Sequence, residues 1–258
     1  HPSIDADSRL PQVKEALAEL EQALLVRQDG QGQYRIPNPV EDDWERRRNA
    51  LELKTSDRNK LLRDMFTSFW EPQPSQNLKG VKQFKAGLLF NSTELVDGDI
   101  PVNLHLLEEG AGYVERLEEL RRRSQTEPLT LFWACATNPD LEEELRELFR
   151  SQEILNIKRR EAQTPEQSHL HSEETRRMGN HKDELRRRLK EAVLGGTVYF
   201  RGNDRSPAGA SSVDAAVKAL LGQALPEVYH RFDEAAARVD AKDLQALMGA
   251  DSLKGLTP

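Results

Sequence analysis

Apolar residues recur at three- and four-residue steps from the first ordered pattern onward. Pro11 opens a helix, and Val13, Leu17, Leu20 and Leu24 line one face of it. That face is expected to be core. The stretch "LVRQDGQGQYRIP", Leu25 to Pro37, reads as a hairpin turning at Asp29-Gly30. A helix followed by such a hairpin reads as the tail of a winged-helix module. The next tract, "NPVEDDWERRRNALELKTSDRNKLLRDMFTSFW", is helical, with acids at its start, bases behind them and a cap expected at Asn38 or Asp42. Trp44, Leu51, Leu61, Leu62, Met65, Phe66 and Phe69 are its anchors, against the wing or the next domain. "EPQPSQ", Glu71 to Gln76, reads as a linker, because two prolines with polar spacers carry no periodicity.

Beyond it the period changes. "FKAGLLFN" (84–91) and "DIPVNLHLL" (99–107) read as strands, and "LTLFWACA" (129–136) as a buried central strand. "YVERLEELRRR" is a helix between the last two, and "TNPDLEEELRELF" starts another, with a cap at Thr137 or Asn138 and proline in the first turn. This helix is expected to run to about residue 161, break at "AQTPEQ" and return from about 168 to 194. Leu141, Leu145, Leu148, Ile154 and Leu155 would face Leu170, Met178, Leu185, Leu189 and Val193 in an antiparallel, coiled-coil-like hairpin. The seam thins toward its turn, where the tip is expected to be flexible. "TVYFRG" (197–202) would rejoin the sheet beside "LTLFWACA", so that the hairpin protrudes as an insertion. "FRGNDRSPAGASS" reads as a loop, Ser211 or Ser212 as a cap for "VDAAVKALLGQAL", Pro226 as the first turn of a further helix, and "AKDLQALMGADSLKGL" as a last one.

The fold class expected is thus helix-rich α+β or α/β. Residues 1–72 form a winged-helix-like domain with trailing helices, 77–140 a small mixed sheet unit, 141–194 the helical hairpin, and 195–258 the returning strand with a helical C-terminal part. Composition adds constraints. The 258 residues carry 37 Lys+Arg against 44 Asp+Glu, a net charge of −7, so nucleic-acid contact would need a local patch. The single cysteine, Cys135, excludes an intramolecular disulfide and a cysteine-built zinc site. No apolar run nears the roughly 18 residues of a membrane span, and no leader pattern opens the chain; a cytoplasmic location is expected. The abrupt polar start at His1 reads as the edge of a piece cut from a longer protein.

Local charge decides between candidate surfaces. The helix before the wing holds Lys14 against Glu15, Glu19 and Glu21, a charge that phosphates repel, so the wing is expected to be structural or protein-contacting. Residues 150–190 reverse the sign, with 11 Lys+Arg and 7 Asp+Glu, a net of +4. Arg159, Arg160, Arg176, Arg177, Lys182, Arg186 and Arg187 are the candidate contacts for nucleic acid or a partner; a solvated hairpin with interleaved ion pairs is the alternative, and the favoured one. His169 and His171 do not share a helix face, and no HExxH-like pattern accompanies them. The turn after "LTLFWACA" lacks a glycine-rich phosphate loop. A hydrolytic site around Asp204, Arg205, His230 and Asp233 is the alternative enzyme reading, with Tyr229, His230 and Phe232 expected instead to pack.

The runs "GTVYFRGNDR" and "ALPEVYHRFDEAAARVDAKDLQALMGADSLKGL", with the wing and hairpin before them, resemble part of the large P-loop proteins of bacteriophage-exclusion systems, the BrxC/PglY family. Members are very large ATPases that act with a methyltransferase, a phosphatase-like protein and other components. The resemblance implies that the nucleotide motif, with its ATP and Mg, lies outside this chain. It supplies no catalytic, cofactor-binding or metal residue here. The function it implies is a non-catalytic scaffold contacting other phage-defence proteins, with DNA as a further candidate contact, no membrane, and self-association left open.

Overall fold

The computed structural model describes residues 10–23, 25–28, 32–36, 38–159, 164–207 and 209–232. Two compact units alternate along the chain: His1–Leu62 with Pro139–Leu189, and Arg63–Asn138 with Lys190–Pro258.

In the first unit, α1 (Leu10–Gln22) leads into a hairpin whose strands, β1 (Arg27–Gln28) and β2 (Tyr34–Arg35), are two residues each. The face expected to be core is uncovered: no residue of α1 is buried, and Val13 is 50% exposed. Three- and four-residue spacing reports an amphipathic helix but not a partner for it, and so short a hairpin offers little surface to pack on. Leu24 and Pro37 lie outside the described residues. The next tract is two helices, α2 (Pro39–Asn49) and α3 (Thr55–Phe69). Asn38 caps α2 in a reciprocal box with Glu41, as the acidic start suggests. Trp44 is buried, yet not against the wing: it packs with Ile154, Leu155 and Leu170 of the two long helices, α5 (Pro139–Lys158) and α6 (Pro165–Leu194).

Those helices form the antiparallel hairpin. Ser151 meets Glu174, Glu144 meets His181 and Asp140 meets Arg188, so the pairs run in opposite directions along the two helices. The expected seam residues Leu141, Leu145, Leu148, Ile154, Leu155, Leu170, Leu185 and Leu189 are buried and Met178 is half-buried. Toward the turn, Trp44 of α2 packs on the seam residues Ile154, Leu155 and Leu170. Residues 160–163, within the turn, lie outside the described residues.

The second unit is built on one mixed sheet. Its strands are β3 (Ser75–Leu78), β4 (Lys82–Phe90), β5 (Thr93–Val96), β6 (Ile100–Glu108), β7 (Leu131–Thr137), β8 (Thr197–Phe200) and β9 (Asn203–Arg205). Six run in line as β3-β4-β6-β7-β8-β9, and β5 pairs with β4. The β4–β6–β7 centre is parallel and the flanks are antiparallel. "TVYFRG" does join "LTLFWACA": Phe132 pairs with Tyr199 and Trp133 with Val198. Thus β7 and β8 are neighbours although both long helices intervene in sequence.

Apolar alternation explains the layers. Leu131 to Cys135 of β7 are buried on both faces, as a central strand requires. On one face Phe132 and Ala134 cluster with Tyr199 and with Leu120 of α4 (Tyr113–Thr126), the crossover between β6 and β7. The last described helix, α7 (Val213–Val228), buries Val213, Ala216, Val217, Leu220, Leu221, Ala224 and Leu225, and packs on β3. Ser212 caps it.

Three sequence expectations change here. "EPQPSQ" is no free spacer: Ser75 and Gln76 belong to β3, and the Gln73 side chain donates to the carbonyls of Ala86 and Asp97 at 2.9 and 2.7 Å. Proline is tolerated on entry to an edge strand, where its missing N–H costs no ladder bond. The "NDR" of the expected loop is β9, turned back on β8 by Arg201 and Gly202, both at positive φ. Pro226 lies inside α7 near its end rather than opening a new helix. The last expected helix lies outside the described residues.

Where the chain leaves α6 for β8, Gly196 sits so close to β7 that a Cβ would stand 2.5 Å from the Ala134 carbonyl oxygen and 2.8 Å from Trp133 Nε1. That indole N–H donates to the Val193 carbonyl at 2.9 Å, which locks the entry. Gly196→Ala is therefore expected to destabilise the sheet unit by about 2 kcal/mol, the scale of an overpacked core. Urea unfolding checks this through a lowered midpoint; an unchanged midpoint contradicts the close approach.

Candidate interaction surfaces

The seven basic residues singled out by charge do not form one surface. Arg177 is turned inward, donating to Glu174 at 3.3 Å and to Glu45 at 3.2 Å. Arg187 is exposed but donates to Glu184, whose carboxyl it holds down at about 2. Arg186 also has partners. Arg176 and Lys182 are exposed on α6 with no ion pair among the described residues. Arg159 is exposed at the end of α5, lining a groove of about 690 Å³ with Lys60, Glu153 and His171. Arg160 lies outside the described residues. The neighbouring Arg188, in the same basic run, spans α6 to α5 by donating to Asp140 at 2.9 Å. Interleaved ion pairs thus consume much of the positive charge, although Arg159, Arg176 and Lys182 stay open.

A charged cluster that charge counting does not reveal lies inside this unit. Glu174 on α6 is 2% exposed and Arg48 on α2 is 3% exposed. Arg48 Nε donates to Glu174 Oε1 at 2.9 Å, and its Nη2 donates to Glu147 at 2.7 Å and to Ser151 Oγ at 3.2 Å. Ser151 in turn donates to Glu174 Oε1 at 2.6 Å, while Trp44 Nε1 and Arg177 each donate to Glu174 Oε2 at 3.3 Å. One carboxylate therefore receives four donors from three helices. Burial pushes its pKa up, but Arg177, Ser151 and Arg48 together bring it below the ordinary value. Glu147 follows the same balance, burial opposed by Arg48 and Arg150. Arg150 reaches across to the carbonyls of Asn49 and Leu51, which finish the last turn of α2. Lys158, also buried, donates to Asp43 at 3.3 Å and lies 5.9 Å from the Trp44 ring centre.

The sequence did carry a signal for this cluster. On α6, Leu170 and Met178 leave a gap at seam position Glu174, and Met178 and Leu185 leave one at His181. Ser151 fills the matching gap between Leu148 and Leu155 on α5. Each polar residue in a gap meets a polar residue on the facing helix: Ser151 with Glu174, and His181 with Glu144 at 2.7 Å. A gap in an apolar seam thus marks a buried polar pair as well as it marks looseness. Arg48 had no such marker, being one of three consecutive arginines.

The described members of the alternative hydrolytic constellation are not joined to one another. Asp204 on β9 and His230 after α7 are both exposed, and no hydrogen bond or ion pair joins them among the described residues. Arg205 pairs with Glu227 at 2.5 Å, and Asp233 lies outside the described residues. Tyr229 and Phe232 do pack, with ring centres 4.6 and 6.2 Å from Phe84. His169 pairs with Glu173 at 3.4 Å. No helix among the described residues is long and apolar enough to cross a membrane.

Because the Glu174 and Glu147 carboxyls are held below their usual value in the fold, they stabilise it above about pH 4.5, and that contribution is lost as pH falls through their lowered values. Glu174→Gln is expected to cost about 3 kcal/mol at pH 7, since it leaves Arg48 buried with less compensation. It should also lose less further stability than the wild type between pH 6 and pH 3. Denaturant unfolding across that range checks both, and parallel pH curves would contradict the assignment.

Residues 52–223 match the family described as the fourth domain of the BREX ATP-binding protein BrxC, with a six-stranded β-sheet. The six strands in line from β3 to β9 agree with that description, and the matched span covers β3 through most of α7 together with both long helices. Among curated proteins and solved structures, none matches the chain. The match takes in well over half of the 258 residues, and the chain belongs to the BREX BrxC family, a component of a phage-defence system.

Proposed function

We propose that this chain is a non-catalytic scaffold portion of a BrxC-type phage-defence ATPase, and that α1 with its hairpin is a surface for a partner protein. The observation that carries this reading is the uncovered apolar face. Leu10, Val13 and Leu20 of α1, with Leu25, Tyr34 and Ile36 of the hairpin region, are all exposed, Ile36 by 82%. An amphipathic helix with no buried residue favours docking into an apolar groove of another protein. Charge selects the occupant: Glu15, Glu19 and Glu21 beside a single Lys14 disfavour both phosphate backbones and anionic lipid. A groove with a basic rim suits them.

DNA contact is the second reading, favoured by Arg159, Arg176 and Lys182, which are exposed and outside the buried cluster. ATP and Mg, on this reading, are bound by other parts of the parent protein, and the other defence-system proteins are the natural partners.

The test replaces Val13 and Leu20 with Asp in the parent protein and measures recovery of the other defence-system proteins with it. At least a tenfold drop in one of them is expected, with the thermal midpoint unchanged because both side chains are already exposed. Unchanged recovery contradicts the reading. In parallel, anisotropy of a labelled duplex at two salt concentrations is expected to show no dependence on Arg176→Glu with Lys182→Glu. A steep salt slope that flattens by about 0.9 per lost contact would favour the DNA reading instead.

A further inference from the structure

A cleft of about 600 Å³ opens in the sheet unit where the chain leaves β4 and β6 and enters α4. In an α/β sheet, ligands sit beyond the carboxyl ends of parallel strands, where backbone N–H groups of the following helix converge. Here β4 and β6 are parallel neighbours, and α4 is the crossover that carries β6 to the parallel strand β7. Gly112, at φ 94°, is the N-cap of α4, and no side chain caps the helix. Gly112 and Arg116, at the two ends of the first turn, line the cleft; the Tyr113 N–H donates to the Gly110 carbonyl at 3.1 Å, and no side chain caps the turn.

His105 gives the independent sign of a ligand. It lines the cleft, is 9% exposed, and its Nε2 has no hydrogen-bond partner. Buried polar atoms of native proteins rarely stay unpaired, and beside a cleft an incoming ligand is one way to complete such an atom's bond. The ring is held in position by stacking on Phe132, with centroids 6.1 Å apart, and Arg123 covers the same Phe132 ring at 4.9 Å. Burial, reinforced by Arg123, lowers the imidazole pKa to about 4, so at neutral pH it is uncharged and able to donate through one ring N–H.

Two guanidiniums complete the set. Arg116 reaches the cleft from α4 and has no hydrogen bond or ion pair from its side chain among the described residues. Arg123 is shared between Glu127 at 2.9 Å and Ser92 Oγ at 3.4 Å. Ser92 is itself fixed, its N–H donating to the buried Asn103 at 3.0 Å. Against these two positive groups the lining contains one carboxylate, Glu108. Guanidinium and helix N–H come from α4 and the imidazole N–H from β6, so donors reach the cleft from two elements, which suits a tetrahedral anion with oxygens on several sides better than a planar carboxylate.

We propose that this cleft binds the phosphate group of a small ligand, with Arg116, the first turn of α4 and His105 as its donors. The volume admits more than an isolated ion, so the group is either free phosphate or part of a small organic phosphate. The site lies in the sheet unit.

Isothermal titration of the chain with orthophosphate, and with a nucleoside monophosphate, at constant ionic strength tests this. Saturable binding of at least one is expected, weakened about tenfold or more by Arg116→Gln and by His105→Phe, the latter keeping the stack on Phe132. Arg122→Gln, an exposed change on the same helix outside the cleft, should leave it unchanged. Tighter binding of the nucleoside monophosphate identifies an organic phosphate as the ligand, and tighter binding of orthophosphate identifies the free ion; either supports the site. Bound anion should also raise the His105 imidazole pKa in NMR titration, against the background of Arg116, Glu119, Arg123 and Glu127 around it. No saturable binding of either ligand, affinity unaltered in Arg116→Gln, or equal weakening by Arg122→Gln would overturn the proposal.

Discussion

A carboxylate buried among three helices is the constraint on which the helical unit rests. Removing Glu174 from water costs several kcal/mol unless its lone pairs are filled. Arg48, Ser151, Trp44 and Arg177 fill them from α2, α5 and α6. The geometry then fixes more than one contact. Slide α6 by one residue and Glu174 turns away from Ser151, His181 from Glu144 and Arg188 from Asp140, so three polar pairs fail together. An all-leucine seam would tolerate such a slide far better. Polar residues in the seam thus set register, the best-attested use of buried polar groups in paired helices.

Much of the fold was legible in the sequence because periodicity and turn chemistry agree there. The two long helices, the central strand at Leu131–Thr137, the return of Thr197–Phe200 beside it and the caps at Asn38 and Ser212 follow from local rules. Short strands did not. The β3, β5 and β9 segments span only three or four residues, too few for alternation to stand out, and each is made by a neighbour rather than by propensity. The α1 helix shows the converse failure: the pattern gave its face correctly but not what, if anything, covers that face.

Charge counting along the chain misses which side chains turn inward, for a physical reason. Counting Lys and Arg along 150–190 treats each as a surface charge, whereas Arg177 and Arg188 serve contacts within the unit. Arg159, Arg176 and Lys182 retain the exposure that counting assumed. A similar limit applies to His105. Nothing in "VNLHLL" distinguishes a packed strand histidine from a binding group; only the unpartnered Nε2 beside an open cleft does. Membership of the BREX BrxC family gives these features their setting, a domain whose sheet carries the candidate cleft and whose long helices turn part of their charge inward.

The central claim, that the buried charges of the helical unit are committed to its own assembly, is tested most directly by a double-mutant cycle on Arg48 and Glu174. Unfolding free energies are measured for wild type, Arg48→Met, Glu174→Met and the double variant at pH 7. The account predicts each single change to cost about 3 kcal/mol and the double much less than their sum, a coupling well above 1 kcal/mol, because removing both partners leaves no unpaired buried charge between them. Additive effects within about 0.5 kcal/mol, or single changes with no cost, would contradict it.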